Sequence, residues 1–138
     1  MNESSHKIFD RFFGAFPAII QQASTTLARG CAVDGRLDNE RLDGHQVSAY
    51  ELALSYAEYR AALVAWEGMA GPVSDLQKAL SAVYMATAIQ SIRVRLEPLL
   101  LPLGIDPSDF DRIFDGMEMR SALQSCLEPG RLADIGRD

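Results

Sequence analysis

The sequence predicts an all-α protein, an antiparallel helical bundle of about four main helices, and three observations support that prediction. Apolar residues recur every three or four positions over long stretches, and no stretch keeps the alternation of a strand. Gly, Pro, Ser and Asp stand where helices must start and stop. The 138 residues predict one domain over 1–138. A chain of that size buries roughly two thirds of its unfolded surface without needing a disulfide or a metal.

The first helix starts near Ser4 or Ser5 and carries Phe9, Phe12, Phe13, Phe16, Ile19, Ile20, Ala23 and Leu27 on one face, with Gly30 as its stop. Pro17 lies inside it, so the spacing predicts either a kink or two helices with Pro17 in the first turn of the second. From Cys31 to Gly44 the composition turns to Asp, Gly, Arg and Asn. This reads as a connector with turn signals at Asp34-Gly35 and Asp43-Gly44 and at most a short helical turn. Either Asp38 caps a helix beginning at Asn39, or Asp43 caps one near Gln46.

The second main helix runs to about Gly68. One stripe holds Ala49, Leu52, Tyr56, Tyr59, Leu63 and Trp66, and Val47, Tyr50, Leu54, Ala57, Ala61 and Val64 widen it. Glu51, Ser55 and Glu58 form a narrow polar face that reads as solvated. An arc that wide predicts contact with more than one neighbour, and the alanines permit close approach.

After the turn "GMAGPVSDLQ", Ser74 and Gln77 form a capping box. The third helix follows through Leu76, Leu80, Val83, Tyr84, Ala88, Ile92, Leu96 and Leu99, broadened by Ile89 and Val94, until Pro98 and Pro102 end or bend it. Asp106 as cap, Pro107 at the first helical position and Asp109 in the first turn start the fourth helix. It carries Phe110, Ile113, Phe114, Met117 and Leu123 until Pro129-Gly130 interrupts it.

A formal charge of -6 repels phosphate backbones and anionic headgroups, which disfavours nucleic acid and electrostatic membrane binding. Cys31 and Cys126 have no second Cys or His nearby, so reduced thiols and a cytoplasmic location are the expectation. "MNESSHKIFDRFF" lacks the pattern of a signal peptide, and no apolar run reaches the ~18 residues of a membrane span.

Chemistry finds few candidates. A di-metal bundle needs paired Glu-x-x-His motifs, but His6 and His45 are the two histidines and neither follows a Glu by three. No G-x-S-x-G elbow and no P-loop is present, and "EGMAGP" lacks the required Lys. Glu51 and Glu58, seven apart, share a helix face, yet a solvated stripe explains them better than a carboxylate pair. His45 reads as a cap or surface residue, and Met117 and Met119 read as core. The expectation is therefore no catalytic activity of the chain on its own, no cofactor and no metal.

Two features stand out. Arg60 falls among Ala53, Tyr56 and Leu63, where a guanidinium needs an interhelical carboxylate or tyrosine faces. "LEPLLLPLGI", Leu96 to Ile105, is an apolar corner broken by two prolines. It covers the end of the core or, if exposed, marks a partner or membrane contact. Ala53, Ala57 and Ala61, with Leu100, Leu101 and Leu103 of the corner, are the expected interface of a two-fold homodimer. The alternative is a small-ligand or acyl-chain pocket lined by Tyr56, Tyr59, Arg60, Trp66 and Tyr84.

"RLDNERLDGHQVSAYELALSYAEYRAALVAW" resembles the first long helix of the helical C-terminal extension carried by some acyl-CoA dehydrogenases, and "SDLQKALSAVYMATAIQSIRVRLEPLL" is similar to the next. The likeness covers about Leu27 to Leu101 and rests on helix order, loop type and composition. In that family such helices are associated with subunit contacts, substrate-end coverage or membrane-surface docking, so the resemblance implies a non-catalytic interaction or dimerisation module, detached from or paired with an acyl-CoA dehydrogenase-like core. The flavin and the catalytic carboxylate of that family belong to the core, so neither has a counterpart residue here.

Overall fold

The computed structural model describes residues 1–128, and Pro129-Gly130 lies outside them. The described residues form six α-helices and one two-stranded hairpin, so the all-α expectation holds. α1 (Glu3–Gly30) is followed by β1 (Ala32–Val33) and β2 (Arg36–Leu37), then α2 (Asn39–Gly44), α3 (Gln46–Gly68) and α4 (Asp75–Leu96). A 3-10 turn (Glu97–Leu99) leads to α5 (Pro107–Phe114) and α6 (Met117–Cys126).

α1 is a single helix of 28 residues that continues through Pro17. Proline has no N–H to give the carbonyl four residues back, which leaves the Phe13 oxygen without its helical donor. The Tyr59 hydroxyl of α3 supplies the missing donor at 2.8 Å. The uncertainty at Pro17 thus resolves to one helix, with a hydrogen bond from a neighbour in place of a break.

The connector holds more structure than the composition suggests. Asp34 and Gly35 both take positive φ, 51° and 76°, as a two-residue type I′ turn requires. Ala32 pairs with Leu37 and Val33 with Arg36 around it. Asp38 then caps α2 by accepting from the Arg41 N–H at 3.0 Å, which decides between the two candidate caps. The Ser74–Gln77 capping box at the start of α4 is present, both bonds included.

The core runs along α1, where buried Phe12, Phe13 and Phe16 pack on Tyr59 of α3, Phe12 and Phe16 also on Phe114 of α5, and buried Phe9 on Trp66 of α3. Burying each such ring contributes about 1.5–3 kcal/mol. α4 adds Met85, Ile89, Ile92 and Leu96, and α6 adds Met119, Leu123 and Cys126. The predicted fourth helix is two, because the chain breaks at Asp115 and Gly116. Arg93 of α4 holds Asp115 at 2.6 Å and so ties the break to the bundle.

The corner after α4 is also divided. Leu103 and Ile105 are buried in the chain's own core and Leu100 is half-buried, whereas Leu101 is 92% exposed. Leu103 was expected on an interface and instead packs within the molecule. Gly104 takes a φ of 64°, and a Cβ there would stand 2.5 Å from the Thr26 Oγ1, so the turn needs glycine both for conformation and for space.

Candidate functional site

α3 packs with its small and polar residues inward and several of its large apolar residues outward. Ser48, Ser55 and Ala62 stand seven apart and are buried, and Ser55 is fully enclosed. Short side chains at that spacing let α3 and α4 approach closely. The face read as solvated, Glu51, Ser55 and Glu58, is therefore the seam with α4, which corrects the expectation.

A charge on α4 explains how two carboxylates tolerate that seam. Arg95 donates through Nη1 to Glu51 at 2.8 Å and through Nη2 to Glu58 at 2.6 Å, and the Ser91 hydroxyl also donates to Glu58 at 3.2 Å. All three charged side chains are about three-quarters buried. The Glu51 hydrogen bond, opposed by burial and reinforced by Glu58, holds the Arg95 guanidinium above the usual arginine value. This is an interhelical clamp in which two carboxylates share the charge of one guanidinium, an arrangement suited to fixing register.

With the clamp turned inward, the outer face of the α3–α4 hairpin is left apolar. On α3 it carries Val47, Tyr50, Leu54, Ala57, Ala61 and Val64, spaced three and four apart in strict alternation. Val47 is 69% exposed, Tyr50 62% and Val64 67%. On α4 the matching row is Leu80, Tyr84, Thr87, Ser91 and Val94, again spaced four and three, with Leu80 50% and Val94 66% exposed. Leu80, Tyr84 and Val94 belong to the apolar face read for this helix, and the structure turns that part of it outward. No charged residue interrupts either row. Between them, at the end where α3 begins and α4 ends, lies a shallow groove of about 690 Å³ bordered by Val47, Glu51, Ser91, Val94, Arg95 and Leu99.

The candidate ligand residues do not converge. Tyr59 is buried with its hydroxyl committed to Phe13, and burial raises its phenol above the usual tyrosine value, offset in part by Arg60. Trp66 is half-buried against His6, Phe9 and Phe13. Tyr56 stacks on Tyr59 with ring centres 6.4 Å apart and borders a neutral groove between α1 and α3. Tyr84 and Arg60 are exposed, and among the described residues Arg60 makes no ion pair, contrary to the interhelical pair expected. Ala53, Ala57 and Ala61 are exposed on α3.

Among the described residues no cluster of three or more His, Cys, Asp or Glu is placed to hold a metal ion, and no helix is long and apolar enough to cross a membrane. No protein-family model matches the chain, and no curated protein matches it significantly.

The helix periodicity alone does not single out Arg95. Its signal was there, because Arg95 is a cation in the last turn of a helix that follows a helix with Glu at 51 and 58.

Proposed function

We propose that this chain is a non-catalytic helical association module that joins to a second copy of itself through the outer face of the α3–α4 hairpin. The observation that carries the reading is the pair of uncharged rows on that face, each in the three–four alternation by which helices pack side by side. Exposed rows of this kind mark contact surfaces, since a monomer gains nothing by leaving Val47, Tyr50, Val64 and Val94 in water. The resemblance to the helical extension of acyl-CoA dehydrogenases is compatible with this role, subunit contact being one of three roles associated with that extension beside substrate-end coverage and membrane-surface docking.

Sedimentation equilibrium of the full chain tests the proposal. A dimer is expected at tens of micromolar, converting to monomer in a Val64→Lys, Val94→Lys variant with unchanged helical circular dichroism. A clean monomer in the parent chain overturns it.

A second reading, binding of an apolar small molecule, is favoured by a groove of about 440 Å³ between α1 and the α5–α6 break. Phe12, Ile19, Ile113 and Met119 line it, and Ala15, Ala18 and Gly116 leave it open. Saturable displacement of a bound fluorescent fatty acid, abolished by Ala15→Leu, is the result this reading requires.

A further inference from the structure

Resting on the association reading, the structure assigns a specific symmetry to the dimer: two hairpins packed face to face about a two-fold axis perpendicular to their helices, each helix antiparallel to its own copy. The distribution of side-chain size along the two rows leads to this arrangement.

On α3 the large residues Val47, Tyr50 and Leu54 occupy the N-terminal half of the row, and the small Ala57 and Ala61 follow, closed by Val64. On α4 the order is the same: Leu80 and Tyr84 come first, Thr87 and Ser91 after, closed by Val94. A helix with bulk in one half and space in the other is complementary to itself when reversed. Antiparallel pairing sets Tyr50 against the partner copy's Ala61 position, Leu54 against Ala57, and Val47 against Val64. On α4 it sets Leu80 against Ser91 and Tyr84 against Thr87. Large side chains thereby enter the spaces left by small ones, as in knobs-into-holes packing. The spacing of the α3 row, three, four, three, four, three, reads the same in both directions about its centre, as does that of Leu80, Tyr84, Thr87 and Ser91. This favours pairing of each helix with its own copy over the other face-to-face two-fold, parallel to the helices, which sets α3 against the partner copy's α4.

One axis must serve both helices, and the hairpin meets that condition. The centre of the α3 pairing falls between Leu54 and Ala57, about twelve to thirteen residues before α3 ends at Gly68. The centre of the α4 pairing falls between Tyr84 and Thr87, about ten to eleven residues after α4 begins at Asp75. The helices are antiparallel and joined by a short turn, so the two centres stand at the same height within about 3 Å. A two-fold interface requires this self-complementarity, whereas a surface for a different protein does not.

The extent fits a weak, reversible dimer. The rows run about 26 Å from Val47 to Val64 and about 21 Å from Leu80 to Val94, and two adjacent helices are about 18–20 Å wide. That is on the order of 450 Å² per copy, about 900 Å² for both, the size of a transient interface. The net charge of -6 per chain opposes association, but the rows themselves carry none of it.

Cysteine cross-linking of the full chain tests the geometry. The native Cys31 and Cys126 are buried and provide the background. In the proposed register a Tyr50→Cys, Ala61→Cys double variant brings unlike positions together and forms the covalent dimer under mild oxidation. Each single variant stays uncross-linked, because its two thiols lie eleven residues apart along the helix, about 16 Å, beyond the ~7 Å reach of a disulfide. If Tyr50→Cys alone cross-links efficiently, or if the double variant sediments as a dimer and does not cross-link, the symmetry is wrong while association stands. If the parent chain sediments as a monomer, association fails and the symmetry with it.

Discussion

The Tyr59 hydroxyl of α3 donates to the Phe13 carbonyl of α1, the oxygen that Pro17 deprives of its helical partner. The proline and the tyrosine are 42 positions apart and form one structural unit: a deficit in one helix met by a side chain of another. That unit lets α1 carry its aromatic face unbroken past residue 17.

A double-mutant cycle checks this coupling. Tyr59→Phe is expected to cost about 1–2 kcal/mol in urea denaturation, because it strands a buried carbonyl. In a Pro17→Ala background the alanine N–H restores the helical bond, and the same change is expected to cost less than half as much. Equal costs in both backgrounds refute the coupling.

The same hydroxyl sets an alkaline limit. Burial raises the folded-state pKa of Tyr59 above its unfolded value of about 10. Its contribution is therefore complete below pH about 10 and is lost as pH rises through the folded value. Urea midpoints compared at pH about 8 and about 11 are expected to fall less steeply for Tyr59→Phe than for the parent chain.

Arg95→Met is expected to destabilise the chain by about 2–3 kcal/mol, since Glu51 and Glu58 are then left in the seam without a cation. Adding Glu51→Gln and Glu58→Gln restores most of the loss, because the seam no longer holds charge. A loss under about 0.5 kcal/mol for Arg95→Met shows that the clamp is solvated and contributes little.

Gly104→Ala combines a left-handed backbone with a collision at Thr26 and is expected to cost about 3 kcal/mol. Measured against a Thr26→Ala parent, the cost falls to about 1–2 kcal/mol, the conformational part with the residual crowding against the Cβ of residue 26 at 3.1 Å. An unchanged cost locates the whole effect in the backbone.

Leu101 and Leu103 separate the two sides of the proline corner. Leu101→Ser is expected to change stability by less than about 0.5 kcal/mol, and Leu103→Ala to lose about 2–5 kcal/mol by opening a cavity. Comparable losses contradict the placement of Leu103 in the core.

Much of the fold was legible in the sequence because local rules govern it. The Ser74–Gln77 box, the Asp106–Pro107 start and the Asp34-Gly35 turn each depend on neighbours a few residues away. The facing of α3 was not legible. Periodicity showed two apolar stripes and one polar one, and the side turned inward was decided by a residue on another helix, Arg95, which makes two carboxylates acceptable in the seam. A single helix read alone assigns Glu51 and Glu58 to water. The outer rows were visible as Val47, Tyr50, Leu54, Ala57, Ala61 and Val64, but their exposure depended on that inversion. The break at Asp115 escaped notice for the same reason, since Arg93 of α4 anchors it.

The short link between α3 and α4 also bears on when the proposed interface would come into being. Gly68 and Asp75 are separated by only a few residues, so the contacts that close this hairpin are among the most local in the chain and carry the smallest loop-closure entropy. The hairpin is thus favoured to order early, while the phenylalanines of α1 must wait for α3 and α5 to be present together. Its outward rows then exist before the core behind them is sealed, and under the proposed association recognition between chains would become part of the folding reaction rather than an event that follows it.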